Sequence, residues 1–404
     1  MKPTEHIHCA LSQALQHSDL GHALTSNSQS ELAPLCLADT DRHSGLSFII
    51  AAAAHQHRRN FAKSQTQPPP RVWFVSDQPR LNQALTAELD FWNISSLILL
   101  EKNTDSASTE LDDPEANADR LHTLSKIASP DNNACGRPTG SASPLIIITP
   151  HFDSPCPAPD AIALQDSSLT TGTEQDPDLL IQLLEKAGFE RVDHIHNRGQ
   201  YALRGGILDI YTWQAPYPVR VEFFDTEIDS IREFDLYSQT SIRKIKQTSL
   251  HLTEPEETAT VADYIGENDL IITLHSDGGF QPPSQTIHHL TITSDPLAEI
   301  AIHPSPLGAF EAGDFVLQQN KRHAFTKQLA EWNAENWNIH LVFSNKGEIE
   351  RFTELMGDSV LNGIETSIGE LAHGFTIPAI QLTVISSAEL FGRDQSSDKR
   401  TNTH

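Results

Sequence analysis

Arg198–Ile242 reads RGQYALRGGILDIYTWQAPYPVRVEFFDTEIDSIREFDLYSQTSI, and strand, turn and charge signals are denser there than anywhere else in the 404-residue chain. Tyr201–Leu203 and Ile207–Tyr211 are short β-prone runs around Arg204-Gly205-Gly206, and Pro216 and Pro218 punctuate the way into a second pair. That pair is Val219–Phe224 and Ile228–Phe234, joined by the polar loop Asp225-Thr226-Glu227, which has hairpin length. In the first of these strands a period of two puts Val219, Val221 and Phe223 on one face and Arg220, Glu222 and Phe224 on the other. A charged pair beside a phenylalanine on an outward face suits a docking surface.

Upstream, Asp176 and Pro177 cap a predicted helix whose Leu179, Leu180, Leu183, Leu184 and Ala187 form one apolar stripe, closed by Gly188. Phe189–Ile195 then reads as a strand leading to the turn Asn197-Arg198-Gly199. Further upstream the pattern is α/β. Leu46–Ala54 is helix-like, Val72–Val75 a buried strand, and Asp77 with Pro79 opens a helix carrying Leu81, Ala84, Leu85 and Leu89 on one face. Ile94–Leu100 and Leu145–Ile148 are further strands, and their alternation with helices predicts a parallel sheet covered on both sides. Residues 101–144, rich in Asp, Asn, Ser, Thr and Pro, read as a mobile insertion with one short helix near Ala118–Ile127. Downstream, Ala259–Ile265 is helix-like and Leu270–Leu274 another buried strand. Arg322–Trp337 reads as a helix presenting Phe325, Leu329 and Trp332, Ile339–Phe343 as a strand, and Ser344 as the cap of a helix with Ile349, Phe352 and Leu355 inward.

A formal charge of -26 argues against autonomous nucleic-acid binding, since affinity for phosphates comes from clustered Lys and Arg. Cys9, Cys36, Cys135 and Cys156 lack CxxC spacing, so neither a disulfide framework nor a zinc knuckle is expected and a reducing cytoplasm fits. The His6/His8 and His194/His196 pairs supply two ligands each with no third in view, and no metal is expected. No apolar run reaches eighteen residues.

The order Gly199, Arg204-Gly205-Gly206, Asp209, Arg220-Val221-Glu222-Phe223-Phe224, Glu227, Ile231-Arg232, Phe234-Asp235, Ser238-Gln239 closely resembles the module shared by the excinuclease protein UvrB and the bacterial transcription-repair coupling factor. The resemblance implies a domain that binds UvrA, the damage-recognition protein of the excinuclease in nucleotide-excision repair. Aligned on the RGG turn, the family's gripping positions fall on Arg191, Arg204, Arg220, Glu222 and Phe224, while one family arginine falls on Ala202. The residues alone leave a second reading open, in which Arg204 satisfies carbonyls around the turn and Arg220 and Glu222 pair across strands. The resemblance turns Arg204, Arg220 and Phe224 towards the partner and leaves Arg191 and Glu222 balanced.

The N-terminal α/β segment resembles the first half of that family's nucleotide-binding fold, with Asp41-Arg42-His43-Ser44-Gly45-Leu46-Ser47 at the phosphate-loop position. A working loop needs G-x-x-x-x-G-K-[ST]; the lysine and one glycine are missing, and Thr149-Pro150-His151-Phe152-Asp153 offers no paired acids. The implied fold class is α/β: a degenerate P-loop (RecA-like) parallel-sheet domain over 1–152, an inserted mainly antiparallel α+β interaction domain over 153–242, a return to the first domain over 243–286, a third α/β domain over 287–392 and a disordered tail over 393–404. Gly369–Phe375 and Ala388–Gly392 resemble the end of the coupling factor's third domain, after which the family's polymerase-binding and translocase segments are expected to be absent. The expectation is a monomeric, non-catalytic interaction module without cofactor or membrane contact. The alternative is a fragment of a DNA-dependent ATPase or helicase needing a partner chain.

Overall fold

The computed structural model describes residues 35–37, 43–61, 70–101, 114–128, 145–163, 167–213, 215–252, 256–274, 288–293, 300–304, 314–361 and 363–392. Two compact units emerge, one from Met1–Ile98, Arg137–Pro150 and Gly266–His404, the other from Leu99–Gly136 and His151–Ile265. Cys9, Cys135, the His6/His8 pair and the tail 393–404 lie outside the described residues.

In the first unit, strand β1 (Leu35–Leu37) is followed by helix α1 (Leu46–Phe61), β2 (Val72–Val75), α2 (Pro79–Phe91), β3 (Ser95–Ile98) and β4 (Leu145–Thr149). The strands VWFV and LIIIT are near-continuous apolar runs because a parallel sheet is covered on both faces. The α2 stripe differs from expectation: Asn82, Leu85, Leu89 and Phe91 are buried while Ala84 is exposed. Gln78, not Asp77, is the N-cap, and it makes no side-chain capping bond because Pro79 already presets the first turn.

The second unit begins with α3 (Pro114–Ala128), which is the helix expected within the insertion, extended by a turn. It continues through β5 (Pro155–Cys156), α4 (Pro159–Ala163), β6 (Ser167–Thr170), α5 (Pro177–Lys186), β7 (Glu190–Arg191), β8 (Gln200–Arg204), β9 (Ile207–Tyr211), β10 (Val219–Phe224), β11 (Glu227–Phe234), β12 (Ser241–Ile245), β13 (Gln247–Leu250) and β14 (Ala259–Thr260). A six-stranded sheet runs β12-β11-β10-β9-β8-β7, antiparallel except where β7 joins β8. One face of this sheet packs Tyr201, Leu208, Ile210, Val219, Val221 and Ile231 against Leu180 and Leu184 of α5 and against Leu169 and Leu250 of the β6–β13 ribbon. Asp176 caps α5 by accepting from the Asp178 amide, and Gly188 ends it at φ 84. Leu179 and Leu183, expected in the core stripe, are instead 54% and 44% exposed, since the ten-residue helix meets the sheet along one narrow line, Leu180 and Leu184. The strand expected over Phe189–Ile195 is only β7, and the helix expected over Ala259–Ile265 is β14 followed by a 3-10 turn at Val261–Tyr264.

Beyond Ile265 the chain rejoins the first unit with β15 (Leu270–Leu274), β16 (His288–Thr293) and β17 (Ile300–Pro304). The return comes at Gly266, later than the expected 243, because β13 pairs with β6 and so holds that stretch in the second unit. There follow α6 (Asp314–Leu317), α7 (Gln319–Ala334), β18 (Asn338–Phe343), α8 (Lys346–Met356), β19 (Glu365–Ile368), β20 (Phe375–Ile377), β21 (Leu382–Ser386) and α9 (Ser387–Leu390). One eleven-stranded sheet runs β19-β18-β21-β20-β17-β1-β16-β15-β2-β4-β3. Asn345 rather than Ser344 caps α8, accepting from the Glu348 amide, while the Ser344 amide donates to the Glu348 carboxylate.

Candidate protein-binding face

The face of the six-stranded sheet turned away from α5 is laid out by register. Ala202 lies opposite Asp209, Asp209 opposite Arg220, Arg220 opposite Arg232, and Arg232 opposite Lys244. One step along, Arg204 lies opposite Ile207, Ile207 opposite Glu222 and Glu222 opposite Ser230. The pairing of β10 with β11 shifts register between Glu222 and Phe223, with Asp229 the extra residue on β11; Val219, Val221 and Phe223 still join the core behind the sheet, and Arg220, Glu222 and Phe224 share the front.

Two glycine-dependent details set the rim. Gly205 takes φ 61 at the first position of the two-residue loop between Arg204 and Ile207, a conformation that favours glycine. The Phe223 amide donates to the Gly206 carbonyl at 2.8 Å, and a Cβ on Gly206 would meet the Phe223 carbonyl oxygen at 3.0 Å. The RGG loop is thereby held against the end of β10, beside Phe224.

Asp209 anchors the face. Its carboxylate accepts from Arg204 Nη2 at 2.5 Å, from Arg220 Nε at 2.7 Å and from Arg220 Nη2 at 2.9 Å. With its side chain 2% exposed, this charge is tolerable only because both oxygens are bonded to cations. Arg220 lies over the Phe234 ring, 4.4 Å from its centroid, and the Asp209 bond raises its pKa above the ordinary arginine value. Glu222 accepts from Ser230 Oγ at 2.5 Å and from Arg232 Nη2 at 3.1 Å. Phe224, 78% exposed, projects at the hairpin end just before Asp225, which takes φ 57.

The expected residues therefore separate. Arg204, Arg220, Glu222 and Phe224 share one face, with the first three tied into carboxylate pairs. Arg191 lies on β7 opposite Tyr201, whose ring belongs to the core behind the sheet, so Arg191 is placed on the other face. Ala202 is fully buried in a small cluster with Ile195, Tyr211 and Phe234. Sequence reasoning assigned no role to Asp209 or Arg232. The usable signal was Asp209 itself, a strand-averse residue in the apolar run ILDIY, at the parity that sets it opposite Arg220.

In the stretch expected to stand in place of a phosphate loop, Gly45 takes φ 81 and a Cβ there would meet Ile302 Cγ2 at 2.9 Å and Phe375 Cγ at 3.0 Å. Ser44 and Ser47 are buried. Ser47 Oγ accepts from Trp92 Nε1 at 3.1 Å and bonds to the carboxyl of Glu88, whose pKa is raised by burial. The Phe375 ring stacks on Phe48 of α1 at 5.1 Å. Apolar side chains and a tryptophan thus occupy the start of α1.

Residues 168–253 match the family model of the UvrB interaction domain. The chain is similar to the transcription-repair-coupling factor of Bacillus subtilis, 29% identical over 157 residues, which cover 38% of this chain and 12% of that protein. It is 36% identical over 127 residues to the transcription-repair-coupling factor of Mycobacterium tuberculosis, covering 31% of this chain and 10% of that protein. It is 37% identical over 110 residues to that of Staphylococcus haemolyticus, covering 27% and 9% respectively. The chain thus matches about a tenth of the length of these relatives, in their N-terminal part.

Proposed function

We propose that the second unit captures UvrA through the front of its six-stranded sheet, as a non-catalytic interaction module of nucleotide-excision repair. The observation that carries this is Phe224, an aromatic ring left 78% exposed beside a salt-bridged arginine array, inside the segment that matches the UvrB interaction domain. An exposed ring on the same sheet face as a row of guanidinium groups has the composition of an interface anchor, because the ring gains by desolvation and the planar forks take partner carboxylates. Arg191, on the far face at the β7 edge, is reached only by a partner that wraps that edge. The module works without nucleotide: the filled start of α1 supports a nucleotide-type fold whose phosphate cradle is gone. A cytoplasmic setting fits this role, and among the described residues no helix is long and apolar enough to cross a membrane.

Capture of purified UvrA by the full chain, immobilised at micromolar concentration, tests the proposal. Retention of UvrA is expected, and folded chain that retains none overturns it.

A further inference from the structure

We infer that Asp209 and Glu222 are positioning residues that fix Arg204, Arg220 and Arg232 in a set array, and that the partner surface this array fits is an acidic patch with an apolar hollow for Phe224. This rests on the proposed capture of UvrA. Cross-strand register places Arg220, Arg232 and Lys244 directly opposite one another in a row, and like charges so placed repel. The row persists because each arginine is tied to a carboxylate from a neighbouring position, Arg220 to Asp209 and Arg232 to Glu222. Asp209 is nearly inaccessible, and the Glu222 oxygen that takes Arg232 also takes the Ser230 hydroxyl. Asp209 is therefore committed inside the chain, while Glu222, 27% exposed, ties Arg232 and Ser230 through one oxygen.

The guanidinium groups are not fully committed. Arg204 gives Asp209 one nitrogen and Arg232 gives Glu222 one nitrogen, while each side chain remains 39% exposed. A guanidinium carries five N–H donors, so both forks keep donors for an external carboxylate. Around the row, Arg204, Arg220, Arg232 and Lys244 face Asp209 and Glu222, with Glu227 opposite Phe224 at the hairpin end, which leaves a small positive excess on a chain of formal charge -26. An acidic partner patch is drawn to this face and away from the rest of the surface.

The sign of one substitution separates positioning from bulk charge. Asp209→Asn removes a negative charge from the face, so simple attraction to an acidic patch predicts tighter binding, whereas loss of the array predicts weaker binding. Titrating purified UvrA with the full chain, we expect Asp209→Asn to weaken binding by about tenfold. The loss should shrink to less than about twofold in an Arg204→Ala, Arg220→Ala background, because Asp209 acts through those residues. Arg232→Ala should weaken binding roughly fivefold, with Arg232→Lys restoring only part, and raising salt should weaken the parent. Circular dichroism and the thermal midpoint establish that each variant is folded. Should Asp209→Asn fail to fold, Glu222→Gln provides the same contrast of sign. If Arg204→Ala and Phe224→Ala weaken binding but folded Asp209→Asn and Glu222→Gln bind as tightly or tighter, this inference is wrong and the capture proposal stands. If the parent does not bind, both fall.

Discussion

Phe224 and Arg204 sit at the same end of the sheet but differ in what they contribute to the free protein. The ring is mostly in water, so Phe224→Ala removes little packing and should leave the thermal midpoint nearly unchanged while weakening capture of UvrA by about 1–3 kcal/mol. Arg204→Ala should weaken capture by a similar amount but also unbalance the buried Asp209, lowering stability by roughly 1 kcal/mol or more. Isothermal titration and thermal melts on the two variants check this division. Arg191→Ala, on the opposite face, should cost less binding than either. If Arg191 matters most, the face is wrongly assigned.

At the scale of elements, α5 shows how far periodicity carries and where it stops. Leu180 and Leu184 are fully buried, and either one replaced by Ala should lose about 2–5 kcal/mol. Leu179→Ser or Leu183→Ser should change stability by less than about 0.5 kcal/mol, because those side chains already meet solvent. Urea midpoints of the four variants would contradict this packing if the two pairs behaved alike. The sequence announced the helix by Asp176-Pro177 and Gly188, but five apolar positions in ten residues could not say which line faces the sheet. Strand β10 was legible to the side chain, since Val219, Val221 and Phe223 alternate with Arg220, Glu222 and Phe224 and a period of two admits only two faces. The β6–β13 ribbon was not legible: SSLT and QTSL carry one leucine each, and their pairing joins segments far apart in the chain. Asp209 escaped for a related reason, because its two cations come from neighbouring strands whose register the sequence does not state.

Across the whole molecule, buried and half-buried histidines link stability to pH. Burial lowers the pKa of His57 in the first unit and takes that of His122 on α3 from 6.5 to about 4. A folded-state value below the unfolded one means that the unfolded chain binds the proton first. The stability these two histidines contribute is therefore full above about pH 6.5 and declines as the pH falls towards 4. Urea midpoints between pH 7 and 4 should fall, and His122→Gln should flatten that slope; an unchanged slope would contradict the burial. The first unit also makes a chemical prediction: with Phe375 and Ile302 over Gly45, millimolar ATP with magnesium should neither shift its thermal midpoint nor be hydrolysed, with or without DNA. Where UvrA touches the chain decides between this face and any other. Covalent footprinting of the full chain, free and saturated with UvrA, reads that contact directly. Protection should centre on Arg204, Arg220, Arg232 and Phe224, with α5 unaffected; labelling of Phe224 that stays unchanged while another surface becomes protected would contradict it.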